Sequence, residues 1–195
     1  MIVIDVETTG TNPHKHSIVS IGAVDFYKPS EQFLEECKIW EGAHVEHEAL
    51  VINGYSEQEI SDPKKKSEAE LVSSFFTWLE ARESLLPAGH NPLFDLGFLQ
   101  AAAERSHQNY ILPSRSLDLH SVCFAHMIKK NVPPPMVHKK SALNSDAVML
   151  YVGIPAEPKP HIALNGAIWE AEAFSRLLYG KTLLPQFSKD PILCL

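Results

Sequence analysis

The chain begins Ile2-Val3-Ile4-Asp5-Val6-Glu7-Thr8-Thr9-Gly10, placing two carboxylates two residues apart in an apolar run. On a strand, residues i and i+2 share a face, so Asp5 and Glu7 project side by side. Carboxylates that close repel each other, and burial raises the cost. A cation must offset it, and a divalent metal is the usual one. A second candidate lies in His90-Asn91-Pro92-Leu93-Phe94-Asp95, with Phe98-Leu99 following. There Asp95 falls in the first turns of a helix, just after a strand, where the helix dipole favours a carboxylate. Taken alone, Asp95 reads more readily as a surface helix residue. The third is His161-Ile162-Ala163-Leu164-Asn165-Gly166-Ala167, a histidine at the mouth of a helix and hence a candidate general base. In a chain with ten histidines, that position by itself carries little weight.

The elements that must hold these residues follow from periodicity. Ile2–Val6 reads as a first strand, Ser17–Phe26 as a second and Gln32–Trp40 as a third, with short returns that predict antiparallel pairing. Ser56–Asp62 resembles a short capped helix. Ser67–Arg82 carries an apolar stripe (Leu71, Phe75, Trp78, Leu79) opened by a Ser67/Glu70 capping box. Leu86–His90 reads as a brief strand, Pro92–Arg105 as a helix, Ser116–Leu119 as a strand and Ser121–Lys129 as a helix. The prolines of Asn131–Pro135 break the chain. Ser141–Tyr151 is expected to be helical, and His161–Tyr179 to be a long helix capped by Gly180. The last fifteen residues show no strong pattern. Strands first, then alternating helices and strands, predict an α/β domain whose mixed sheet is covered by helices.

Composition bounds the function classes. With 195 residues, 45% hydrophobic and 21% charged, the chain is expected to form one domain with an adequate core. No apolar run approaches the roughly 20 residues of a membrane helix, so no membrane association is expected. The start shows no basic n-region, which predicts no secretory signal. Three cysteines (Cys37, Cys123, Cys194) without metal spacing fit a reducing, cytoplasmic setting. A net charge of −7 argues against a broad grip on duplex phosphates. His14, His16 and the Lys129–Lys140 stretch are candidate nucleic-acid backbone contacts, against the simpler reading of exposed loop.

Taken together, the three segments resemble the DEDD 3′–5′ exonuclease superfamily in its histidine-bearing, DnaQ-like (DEDDh) branch, which includes the DNA polymerase III proofreading subunit and ribonuclease T. Asp5–Gly10 resembles the first motif, His90–Asp95 the second and His161-x-Ala163-Leu164-x-x-Ala167 the third. The likeness covers roughly residues 1–180, leaving 181–195 as a C-terminal tail. It implies a ribonuclease H-like fold and hydrolysis of phosphodiesters at single-stranded DNA or RNA 3′ ends, releasing nucleoside monophosphates. It also implies two divalent ions, Mg²⁺ or Mn²⁺. Asp5 would bridge both ions, Glu7 would hold one and Asp95 would join directly or through water. His161 would take the proton of the attacking water. Thr8 and Gly10 would approach the terminal nucleotide, and a DNA polymerase subunit is an implied partner.

One position departs from that pattern. The family's third motif carries a fourth carboxylate five residues after the histidine, and here that residue is Gly166. Losing even an indirect partner of a metal commonly costs about 10–100-fold in affinity or activity. A weakened enzyme, or a catalytically inactive member that binds nucleic acid or a polymerase, follows from the substitution. Glu170, one helical turn further on, is a candidate to reach back in its place.

Overall fold

A computed structural model describes residues 1–194. Its centre is a five-stranded sheet in the order β3-β2-β1-β4-β5, built from β1 (Ile2–Thr8), β2 (Ile18–Asp25), β3 (Gln32–Glu36), β4 (Pro87–Gly89) and β5 (Leu117–Asp118). β1, β2 and β3 pair antiparallel, while β4 and β5 join parallel to β1. The mixed sheet and its flanking helices are of the ribonuclease H-like kind that the sequence predicts. The third strand ends at Glu36 rather than Trp40. Beyond it, Cys37 and Lys38 bond to Val19 and Lys66, and only an isolated bridge continues the pairing.

β1 sorts its side chains strictly by parity. Ile2, Ile4 and Val6 pack with Phe75, Phe98 and Leu99 on the face covered by α3 (Glu68–Glu80) and α4 (Pro92–Arg105). Val3 packs on the opposite face with Ala167 and Ala171 of α7 (Ala163–Tyr179). Asp5 and Glu7 continue Val3's row. The apolar strand therefore aims its two carboxylates at α7. The close approach of that helix depends on Gly22, the β2 partner of Asp5. A Cβ there would overlap the backbone of Ala163 and Leu164.

Several boundaries differ from expectation. α7 begins at Ala163, with Ile162 as its N-cap, so His161 stands outside the helix. α5 spans Leu119–Lys129 because the Asp118 side chain caps it, accepting from the backbone N–H groups of His120 and Ser121. Ser141 belongs to a small hairpin of β6 (Met136–Val137) and β7 (Lys140–Ser141), turned by His138 and Lys139 at positive φ. The following helix, α6, is Ser145–Val152, capped by Asn144. Two helices also lie between β3 and α3. α1 (His47–Asn53) was not expected, whereas α2 (Glu57–Ile60) has the Ser56/Glu59 capping box.

The chain's end is fastened to the core. A 3-10 turn at Pro185–Phe187 and the buried Leu184, Phe187 and Cys194 join the α7-side cluster. The fully buried Arg176 pairs with Glu172 at 2.7 Å and donates to the carbonyls of Val152, Gly153, Phe187, Asp190 and Pro191. Leu195 lies outside the described residues.

Candidate active site

Asp5 and Glu7 sit on the half of β1 that extends past β4, whose register with β1 ends at Val3 and Ala88. Beyond that point Asp95 completes the bonding. Its Oδ1 accepts the Val6 backbone N–H at 3.0 Å, in the interior. The second motif owes this geometry to Asn91, which takes a left-handed φ of 62° before Pro92 starts α4. The Asn91 N–H is held by Asp118 at 3.1 Å, and the His90 N–H donates to Glu170 Oε2 at 3.0 Å. Glu170 thus ties α7 to the end of β4. That role is structural and was not foreseen.

The carboxylates crowd one another. Burial and then repulsion from Glu170, Asp95, Glu7 and Glu157 push the Asp5 carboxyl well above the usual range. Burial, then Asp95, does the same to Glu170. Burial raises Asp95 to about 8, against the lowering effect of the Val6 N–H, and burial with repulsion from Glu157 raises Glu7 to about 7. Among the described residues no lysine or arginine pairs with Asp5, Glu7, Asp95 or Glu170. A buried set of carboxylates without a cationic side chain is chemically the donor set of a divalent ion.

The side chains as placed do not yet converge on one. Among the described residues no three His, Cys, Asp or Glu side chains stand close enough together to hold a metal ion. Gly166 bears on this directly. Asp5 Oδ2 fills the space where a Cβ on residue 166 would lie, so the central carboxylate leans into the gap left by the absent side chain. The donor set fits a divalent ion in kind.

His161 is half-exposed at the edge of the site, and its backbone N–H donates to the Ile52 carbonyl at 3.1 Å. Its Nδ1 lies 3.5 Å from Oε2 of Glu157, a residue that sequence reasoning missed. Glu157 sits in a proline-rich loop, where a single glutamate gives no pattern to read.

Beside Glu7 opens a cleft lined by Val6, Glu7, Thr8, Gly10, Thr11, Ile52, Asn53 and Phe94, mainly apolar and flanked by Glu46 and Glu48. Thr8 and Gly10 both border it. Asn53 fixes one wall by donating to the Thr8 carbonyl at 3.1 Å. The Gly10 position is set by close approach, since a Cβ there would come within 2.6 Å of the His16 ring. His16 is therefore not a backbone contact. Its ring is buried, and Nδ1 accepts the Asn12 N–H at 2.9 Å. Lys129, Lys130, Lys139 and Lys140 are exposed, as a solvated surface would be.

Comparison with known proteins supports this frame. A family model described as an exonuclease matches residues 2–165. Ribonuclease T of Marinobacter nauticus is 27% identical over 117 residues, and ribonuclease T of Yersinia enterocolitica is 31% identical over 120. These alignments cover 54% of this chain, and 53% and 54% of the relatives respectively, so the chain spans about half the length of the curated relatives it matches. Among solved structures, the zinc-bound form of an E. coli ExoI–ssDNA complex superposes with a TM-score of 0.73 at 16% identity, covering 92% of this chain and 41% of that one. Cell-death related nuclease 4 gives 0.71 at 15% identity, covering 93% and 64%. At such identities the two superpositions speak to the fold.

Proposed function

Starting from a chain that belongs to the exonuclease family, we propose that it is a divalent-metal-dependent 3′–5′ exonuclease on single-stranded DNA or RNA ends, weakened by Gly166. The observation that carries this reading is the buried group Asp5, Glu7 and Asp95, whose carboxyls are all raised and, among the described residues, meet no lysine or arginine to offset them. When bound, Mg²⁺ or Mn²⁺ ions supply charge for the scissile phosphate and a lowered pKa for the attacking water.

The residues divide the remaining work. Asp5, Glu7 and Asp95 would hold the ions. The apolar walls at Val6, Ile52 and Phe94 would receive the terminal nucleotide, with Thr8 and Gly10 beside its sugar or phosphate. His161, at the rim, takes the proton as water attacks phosphorus; the bond to the 3′ oxygen breaks, that oxygen takes up a proton from solvent as the new 3′ hydroxyl, and a nucleoside monophosphate is released.

Gly166 favours a second reading, a member that binds nucleic acid or a polymerase without turnover. One assay separates the two: digestion of a 3′-terminated, 5′-labelled single strand in Mn²⁺, comparing this chain with Asp5→Ala and Gly166→Asp. Stepwise shortening that disappears in Asp5→Ala and with chelator is expected. If neither this chain nor Gly166→Asp shortens either DNA or RNA, the enzymatic reading fails and the binding one remains.

A further inference from the structure

The loop leading into α7 carries an inward-facing carboxylate to which the reaction has so far assigned no task. In Pro155-Ala156-Glu157-Pro158-Lys159-Pro160, every residue except Glu157 is exposed. The Glu157 side chain is only 9% exposed. A carboxylate leaves water at a cost that partners must offset. Oε1 accepts the backbone N–H of Ile162 at 3.4 Å, at the N-cap of a helix that has no side-chain cap. Oε2 stands 3.5 Å from Nδ1 of His161. From the other side, the His161 N–H is fixed on Ile52 of α1. Glu157 thus stands beside the His161 ring while Ile52 fixes its backbone.

A neutral imidazole carries one ring proton, and an acceptor at one nitrogen selects which. With Glu157 at Nδ1, the proton stays on Nδ1 and the lone pair is left at Nε2. We propose that Glu157 is the positioning residue of His161: it fixes the ring and the Nδ1–H tautomer, so that Nε2 takes the proton of the attacking water. This rests on the exonuclease reading and adds to it the orientation of the base. Four carboxylates face Glu157 from neighbouring elements, Asp5 and Glu7 on β1, Glu170 on α7 and Asp146 on α6, and Lys159 shares the cleft beside His161. None of them stands at Nδ1 in its place.

The test reads the tautomer directly. Imidazole ¹⁵N spectra of the metal-free 195-residue chain at alkaline pH, with His161→Gln to assign the signal, should show His161 protonated at Nδ1. Glu157→Ala should shift His161 toward the Nε2–H form. Glu157→Gln, whose amide oxygen still accepts, should retain Nδ1–H and serves as the folded control should the alanine variant unfold. In Mn²⁺, Glu157→Ala should lose about 10–100-fold in kcat, with KM changed less than about twofold. A wild-type His161 carrying its proton on Nε2, or a Glu157→Ala spectrum unchanged from wild type, overturns the proposal. An Nδ1–H His161 in a chain that digests no oligonucleotide upholds the pair and removes the exonuclease reading instead.

Discussion

Asp5 Oδ2 lies where a Cβ on residue 166 would be, with Asp5 Cβ itself 3.3 Å from that point. The central carboxylate of the site is thus shaped by the missing side chain opposite it, and restoring that side chain moves Asp5. In Gly166→Asp the new Cβ displaces the Asp5 carboxyl, and a further carboxylate joins the donor set. The variant should bind Mn²⁺ at least about 10-fold more tightly by calorimetry and cleave single strands at least about 10–100-fold faster. Without metal it should be less stable than the parent, because another anion enters an already repulsive cluster.

That repulsion also sets a pH dependence. Asp5, Glu7, Asp95 and Glu170 all have folded-state pKa values raised above their unfolded ones. Between about pH 4 and the raised values, near 7 for Glu7 and 8 for Asp95, the folded state binds more protons than the unfolded chain. Stability of the metal-free protein should therefore fall as pH rises through this window and level off above it. Urea denaturation at steps from pH 5 to pH 9 in chelator checks the slope. Adding Mn²⁺ at pH 8 should raise the urea midpoint, a gain of about 2.7 kcal/mol when the ion is at about 100 times its Kd.

Gly22→Ala tests how α7 reaches the site. The added methyl overlaps the backbone of Ala163 and Leu164, which cannot yield as a flexible side chain does. The substitution should cost about 1–3 kcal/mol or more by denaturant titration, and it should lift the start of α7 off β2. Residues 161 and 166 ride on that end, so activity should fall more steeply than stability implies.

Arg176→Met addresses the chain's end. It leaves Glu172 buried with its charge uncompensated and releases five backbone carbonyls. Removing one partner of such a pair typically costs about 3–5 kcal/mol. Limited proteolysis should then cut within 183–194 faster than in the parent chain. Glu172→Gln should be milder, since its amide oxygen can still accept from Leu183 and Leu184.

The local part of this protein was legible in the sequence. Alternation in Ile2–Val6 put Asp5 and Glu7 on one face, because a strand's two-residue period allows nothing else. Capping boxes at Ser56 and Ser67 started their helices where expected. The order of the three motifs carried the family. Where boundaries slipped, an adjacent capping side chain or a turn decided: Asp118 and Asn144 set the starts of α5 and α6, and a turn at His138-Lys139 drew Ser141 out of the expected helix into a hairpin. What only the tertiary structure decided were contacts across large sequence separations. Asp95 reaches the Val6 N–H 89 residues away, Glu170 braces His90 across 80, and Gly22 admits the backbone of Ala163. Asp5 turns over Gly166, and Glu157 folds inward to His161 from a loop with no periodicity. Periodicity fixes which way a side chain points, but the partner it meets depends on how the sheet and helices stack, and no local pattern encodes that distance.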